Sequence, residues 1–277
     1  MNIADEIRSR GLSIMKFGES AREAKWFDLG IPCVNAVFGS LKGMPLGRIV
    51  GIRGGESYGK SALAYWLGGI FQKKGGLVFL ADEEASFSPD WGEVLGLQPN
   101  DSLFLITTGS KQVVEGGKKK SAPEALEDLL LKFEYIVQLL NEEAKDVPAL
   151  IIWDSVASTL TRKELEGEYD NEAIAEKARV LSRGLSKLHN VLVPSNVVLL
   201  FVNQLRAKIG TYGPSSNTMP GGRALLYYTS VLVEAARTAK RAGYIVCKAE
   251  NKKNKVAPPF KSFSFKIDFS SGIIDVK

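Results

Sequence analysis

The chain has 277 residues, 45% hydrophobic and 24% charged, a balance that fits one large folded α/β unit and excludes a disordered or collagen-like chain. Its 36 Lys and Arg outnumber its 31 Asp and Glu, and the resulting net charge of +5 suits a polyanionic partner without requiring one.

The opening Met1-Asn2-Ile3-Ala4-Asp5-Glu6 lacks the basic start and apolar middle of a signal peptide, and the longest apolar run, Val197 to Val202, is far too short to cross a bilayer. A cytoplasmic protein is expected, with residues 1–30 as a short N-terminal segment and 31–277 as one core.

Short apolar runs recur at Arg48–Gly51, Leu77–Ala81, Leu103–Thr107, Ala149–Trp153 and Val197–Val202. Several are separated by stretches of helical period, the pattern of parallel strands joined by crossover helices. The spacing predicts a helix over Pro123 to Ala144, with Leu126, Leu129, Leu130, Phe133, Ile136, Val137 and Leu140 on one face. A second is predicted from Asn171 to Leu192, with Ile174, Ala178, Leu181, Leu185 and Leu188 as its buried stripe. After Gly222, strand-like stretches at Tyr228–Thr238, Tyr244–Ala249 and Phe260–Phe269 suggest antiparallel pairing at the sheet edge. The fold class is thus α/β, a mostly parallel central sheet flanked by helices with antiparallel strands at the C-terminal edge.

Two segments read as loops. Residues 109–121 carry Gly116-Gly117 and Lys118-Lys119-Lys120 and resemble a solvated insertion more than a phosphate contact. Residues 210–222 are rich in Gly, Pro, Ser and Asn, and loops of that length in compact domains are often functional. Cys33 and Cys247 lack metal-ligand spacing and are expected to be buried free thiols, while His189, in an apolar helical pattern, reads as packed or surface-exposed.

The segment Gly54-Gly55-Glu56-Ser57-Tyr58-Gly59-Lys60-Ser61 fits G-x-x-x-x-G-K-[ST] between a strand and a helix-compatible run that begins with Ala62. Its glycines let backbone N–H groups curl around phosphate oxygens, Lys60 reaches the β- and γ-phosphates of ATP, and the Ser61 hydroxyl can ligate Mg. Downstream, the strand Leu150-Ile151-Ile152-Trp153 ends in Asp154, where a phosphate-loop protein needs an acid for the metal shell. A third strand ends in Asp82-Glu83-Glu84, any one of which could orient and deprotonate the attacking water.

With these positions set out, the chain resembles the RecA family of bacterial recombinases from about Leu12 to Ile274. The resemblance is carried by Ser13–Glu19, Met44–Val50, the phosphate loop, Asp154–Ala157, Glu166-Gly167-Glu168, Asn203–Gly210 and Lys253–Phe260. It implies a DNA-dependent ATPase using ATP and Mg, which forms a helical filament on single-stranded DNA and pairs it with homologous duplex DNA. Within the acidic turn it selects Glu83 as the catalytic carboxylate and leaves Asp82 and Glu84 without a fixed role. Trp91 falls where the family stacks a tyrosine on adenine, and Gln204 matches its γ-phosphate sensor.

The resemblance also implies two DNA-binding loops, about 158–170 and 205–223. In the second, Arg206, Lys208 and Arg223 would neutralise phosphates, Gly221 and Gly222 would let the backbone approach them, and Ile209 would wedge between bases. Arg179 and Ser182 match backbone-contacting positions on the helix after the first loop. Lys253 and Lys255 fall where the family reaches the ATP of a neighbouring protomer, and Tyr227 replaces an interface phenylalanine. The N-terminal docking helix of the family is expected to be reduced to about Asn2–Arg10, the C-terminal domain to be absent and the insertion at 109–121 to be additional. A compact viral or mobile-element recombinase fits that pattern. An accessory ATP-gated single-stranded DNA-binding protein and a ring-forming DNA motor are the competing readings.

Overall fold

Six strands run parallel in one sheet, and the inner ones, buried on both faces, are nearly continuous apolar runs, as is usual for such strands. The six are β1 (Arg48–Gly54), β2 (Leu77–Asp82), β3 (Leu103–Thr107), β4 (Ala149–Asp154), β5 (Val197–Gln204) and β6 (Thr229–Arg241). Three further strands, β7 (Tyr244–Asn254), β8 (Ser262–Asp268) and β9 (Gly272–Ile274), complete the sheet. The structure is a computed structural model and describes residues 3–11, 25–107, 110–115, 118–167, 171–207, 217–218 and 220–277.

The strand order is β9-β8-β7-β6-β1-β5-β4-β2-β3. The first five strands coincide with the apolar runs of the sequence. The antiparallel pairing expected after Gly222 is present between β6, β7 and β8, and β6 in addition pairs parallel with β1, so the parallel sheet extends one strand beyond the five apolar runs. Hydropathy alternation reports which face a residue takes and carries no information on strand direction.

Alternate residues feed two cores. On one face Val50, Ile52, Leu150 and Ile152 pack with Leu63, Leu67 and Phe71 of α1 (Lys60–Lys73). Phe27 and Leu29, from the segment before residue 31, are buried in this layer, and the Phe27 ring stacks on Phe71 with centroids 3.8 Å apart. A short helix, α2 (Pro89–Val94), follows β2. On the other face Ile49, Ile151, Trp153 and Phe201 meet α3 (Leu126–Glu143) and α4 (Asn171–Leu192). Each fully buried large side chain contributes about 1.5–3 kcal/mol; in α4 Leu181, Leu185 and Leu188 are buried as expected, Ala178 is only half-buried, and the side chain of Ile174 lies outside the described residues. The stripe of α3 is buried as expected apart from Ile136, which is partly buried. The helix itself begins three residues late, because Pro123 ends a strand and Ala125 bridges to Leu160.

Other departures concern loops. Within 109–121 the structure has an antiparallel hairpin, Ser110–Glu115 with Lys118–Pro123. Gly and Lys content suggested a loop there, whereas cross-strand backbone pairing decides the conformation. The first expected DNA loop contains a helical turn, Arg162–Leu165, closed by a Thr161/Glu164 capping box. Residues 217–218 form a short strand, and α5 (Gly222–Tyr228) precedes β6. Cys247 is buried, but Cys33 is only half-buried at the start of a short helix, Pro32–Phe38. Both are free thiols. The motif at Ser13–Glu19 lies outside the described residues. Among the described residues, no helix is long and apolar enough to cross a membrane.

Candidate nucleotide site and nucleic-acid face

Because β1, β5, β4 and β2 are adjacent and parallel, their C-terminal ends open side by side on one edge of the sheet, the usual place for ligands in such folds. Register sets the alignment: Gly54 pairs with Gln204, and Asp82 with Asp154. Four sequence motifs separated by many residues thus share one edge.

The phosphate loop leaves β1 and enters α1. Ser57 and Gly59 take positive φ, 57° and 75°, and Gly59 is the last residue before the helix, where a left-handed turn favours glycine. Lys60 is 7% exposed, and its Nζ donates to the Gly55 carbonyl at 2.7 Å, so the ammonium bends back over the turn. Burial lowers its proton affinity, opposed by Asp154, Glu84 and Glu56. The cavity beside it, about 300 Å³, is lined by Glu56, Ser57, Tyr58, Gly59, Lys60, Ser61, Ala62, Glu84, Asp154, Val202 and Gln204. Nine of the expected nucleotide-site residues are therefore brought together, with Gly54 immediately before them at the end of β1.

Asp154 is 1% exposed. Burial pushes its carboxyl up to about 6, while hydrogen bonds from Ser61 and Tyr65 favour the ionised form and Glu84 and Asp82 oppose it. The Tyr65 hydroxyl donates to Asp154 Oδ2 at 3.1 Å. Sequence reading had not singled out Tyr65; its signal is the four-residue spacing from Ser61, which places both hydroxyls on one face of α1. No cluster of three or more His, Cys, Asp or Glu suited to a metal occurs among the described residues, so a divalent cation would rest on Ser61, Asp154 and the nucleotide's own phosphates. A buried carboxylate held by hydrogen bonds beside a hydroxyl and a phosphate-sized cavity fits a hard cation.

The acidic turn separates its members. Asp82 accepts from the Ser86 and Phe87 backbone N–H groups. Glu84 lines the cavity and accepts from the Ser155 hydroxyl at 2.5 Å. Resemblance had left Glu84 without a role, and its place in the cavity wall was hidden because the turn after β2 ends strand alternation. Glu83 donates its backbone N–H to the Asp154 carbonyl at 2.7 Å. Its carboxyl is not part of the cavity lining. Burial, with Glu124 and Asp82 adding to it and Thr107 and Lys132 opposing, pushes it up to about 7. Trp91 sits in α2, half-buried against the core, and is also outside that lining.

The backbone of Gln204 leads to the residues expected to contact DNA. Asn203, fully buried, accepts from the Gln204 N–H through Oδ1 at 3.0 Å and donates from Nδ2 to the Pro220 carbonyl at 2.7 Å. Gly221 and Gly222 follow with φ of 94° and 67° and pack on α4: a Cβ on Gly221 would lie 3.2 Å from Leu181, and one on Gly222 would lie 3.8 Å from Ala178. Arg179 and Ser182 are exposed on that same stretch of α4, and Arg223 is exposed on α5. Five expected DNA contacts therefore gather around one helix junction. Arg206 begins a two-residue strand paired with Asn217–Thr218, whereas Lys208 and Ile209 lie outside the described residues.

Lys253 and Lys255 lie elsewhere in the protomer. Their Nζ atoms donate to the Leu226 and Tyr227 carbonyls at the C-terminal turn of α5, where cations complement the helix dipole. Tyr227 is 69% exposed, so its hydroxyl needs no protein partner. His189 faces the Tyr228 ring at 5.7 Å, and its Nδ1 is buried without a hydrogen-bond partner. Burial first, then Arg48 and Lys255, lowers its proton affinity, as expected of a packed histidine.

Known proteins resemble this chain along most of its length. The profile of the RecA N-terminal domain matches residues 5–274. Protein RecA of Rhodopirellula baltica is 35% identical over 273 residues, covering 94% of this chain and 65% of that protein. Protein RecA of Crocosphaera subtropica is 35% identical, with 94% of this chain and 70% of the relative covered. The mitochondrial DNA repair protein recA homolog of Dictyostelium discoideum is 36% identical over 83% of this chain and 47% of its own length. The chain thus spans between 47% and 70% of the length of these relatives.

Proposed function

Because this chain belongs to the RecA family, matching its N-terminal domain over residues 5–274, we propose that it is an ATP-dependent DNA recombinase. It would form a helical filament on single-stranded DNA and carry out homologous pairing and strand exchange. The observation that carries this reading is Asn203, whose two amide atoms join the wall of the phosphate cavity to the start of the cationic helix junction.

Lys60 would leave the Gly55 carbonyl to bind the β- and γ-phosphates, with the N–H groups of the loop supplying the remaining donors. Mg, held by Ser61 and Asp154, would neutralise charge on the phosphates. Glu83 takes a proton from water as general base, a step suited to a carboxyl whose affinity for protons is raised toward neutrality. Gln204, with an amide that can both donate and accept, bonds the γ-phosphate and reports its loss through Asn203 to the loop that ends at Pro220. Trp91 would stack on adenine once ATP is seated.

On the DNA side, Arg179, Ser182, Arg206, Lys208, Gly221, Gly222 and Arg223 bind the phosphate backbone, and Ile209 inserts between bases. Lys253 and Lys255 complete the ATP site of an adjacent protomer, making turnover a property of the filament. A strand-exchange assay run with ATP and with a non-hydrolysable analogue tests the proposal. Exchange with either nucleotide supports it; DNA coating without exchange would assign the chain to the accessory class instead.

A further inference from the structure

Tyr65 is a buried, ionisable group that no step above uses. It lies five residues into α1 and is 4% exposed. Its ring packs edge-to-face on Phe87, with centroids 5.5 Å apart and planes at 87°, so packing sets its rotamer. A phenol is protonated at neutral pH and donates, and the acceptor its hydroxyl reaches is Asp154 Oδ2, 3.1 Å away.

The geometry around Asp154 assigns different tasks to two hydroxyls. Ser61 and Tyr65 lie four residues apart on one helical face, and Tyr65 is the one whose hydroxyl bonds this carboxylate. Ser61 also lines the phosphate cavity; Tyr65 does not. When Ser61 turns to a cation, Tyr65 is the side chain left holding the acid. We propose that Tyr65 is a positioning residue for the divalent cation: its hydroxyl pins Oδ2 of Asp154 and so fixes the carboxylate for the metal that accompanies the nucleotide. The inference rests on reading the cavity as a Mg–ATP site. Partners that orient metal-binding side chains often change affinity about 10- to 100-fold when removed, and the lower end applies where phosphates supply most of the ligands.

Tyr65→Phe keeps the ring and its contact with Phe87 and deletes only the donor. Binding of a fluorescent ATP analogue would be titrated with MgCl2 for the wild type, Tyr65→Phe, Asp154→Asn and the double variant, with a second set in EDTA. The half-saturating Mg concentration is expected to rise about tenfold in Tyr65→Phe, while nucleotide affinity in EDTA stays close to wild type and the melting temperature falls by the few degrees expected for one lost buried bond. In the Asp154→Asn background the second substitution should add little, because the two residues act as one unit. Equal Mg midpoints for wild type and Tyr65→Phe would overturn the inference, as would an undiminished further loss in the double variant. A wild-type chain whose nucleotide binding ignores Mg would overturn the reading of the site itself.

Discussion

Asn203 and Pro220, seventeen residues apart, are joined by one partly buried hydrogen bond of 2.7 Å from the asparagine amide to the proline carbonyl. The other side of the same amide accepts from the backbone of Gln204, which lines the phosphate cavity. A single planar group therefore spans the two proposed binding regions. Asn203→Ala would leave both backbone groups without their partner, at a cost of about 1–3 kcal/mol for an unmade buried bond. ATP affinity should remain within about twofold while ATP-stimulated DNA affinity drops about tenfold. Fluorescence anisotropy with labelled single-stranded DNA, with and without nucleotide, reads the difference; equal losses in both conditions would mean the link is merely structural.

Lys60→Ala removes the ammonium that lies over the phosphate loop. Since Nζ bonds only a loop carbonyl within the fold, the variant should fold normally and lose ATP-dependent DNA binding. Circular dichroism checks the fold, and wild-type DNA binding in the presence of ATP would remove Lys60 from the site.

Glu83→Gln should stop hydrolysis while preserving or prolonging the DNA-bound state. The raised proton affinity of Glu83, from 4.5 to about 7, also predicts a pH signature. The folded chain binds this proton more tightly than the unfolded chain, so the group's stabilising contribution is full below pH 4.5 and fades as pH rises through about 7. Gln is neutral throughout, so the variant should melt higher than wild type at pH 8 and close to it at pH 4.5. ATPase activity of the wild type should fall as pH drops below about 7. Identical melting differences at both pH values would contradict the assignment.

Arg206→Ala and Lys208→Ala should each weaken DNA binding for all sequences and lower the salt slope by about one, the behaviour of single phosphate contacts. Titrations from low to moderate salt measure it. An unchanged slope would take that residue off the DNA path.

If Lys253 and Lys255 act across protomers, mixing Lys60→Ala with Lys255→Ala chains should regenerate activity that neither has alone. Random mixing of equal amounts leaves about one interface in four with both halves intact. ATPase assays on the mixture check this; no recovery would indicate that the lysines act within their own chain, as their bonds to the α5 carbonyls do.

Much of the molecule is legible in the sequence alone. Five strands and the two long helices follow from hydrophobic period, because burial acts residue by residue along the chain. The phosphate loop and Asp154 follow from motif and position. What the sequence could not supply was everything decided by pairing between distant segments: the parallel direction of β6, the hairpin at 110–123, and the register that sets Gly54 beside Gln204 and Asp82 beside Asp154. Nor could it sort the acidic turn, where three adjacent carboxylates point to a backbone turn, a buried cluster and the cavity. No motif in the sequence marks Tyr65, whose hydroxyl meets Asp154 only where α1 lies against β4. Local patterns record what each residue buries, but hydrogen bonds such as Tyr65 to Asp154 and Asn203 to Pro220 exist only once the tertiary fold brings their atoms within about 3 Å.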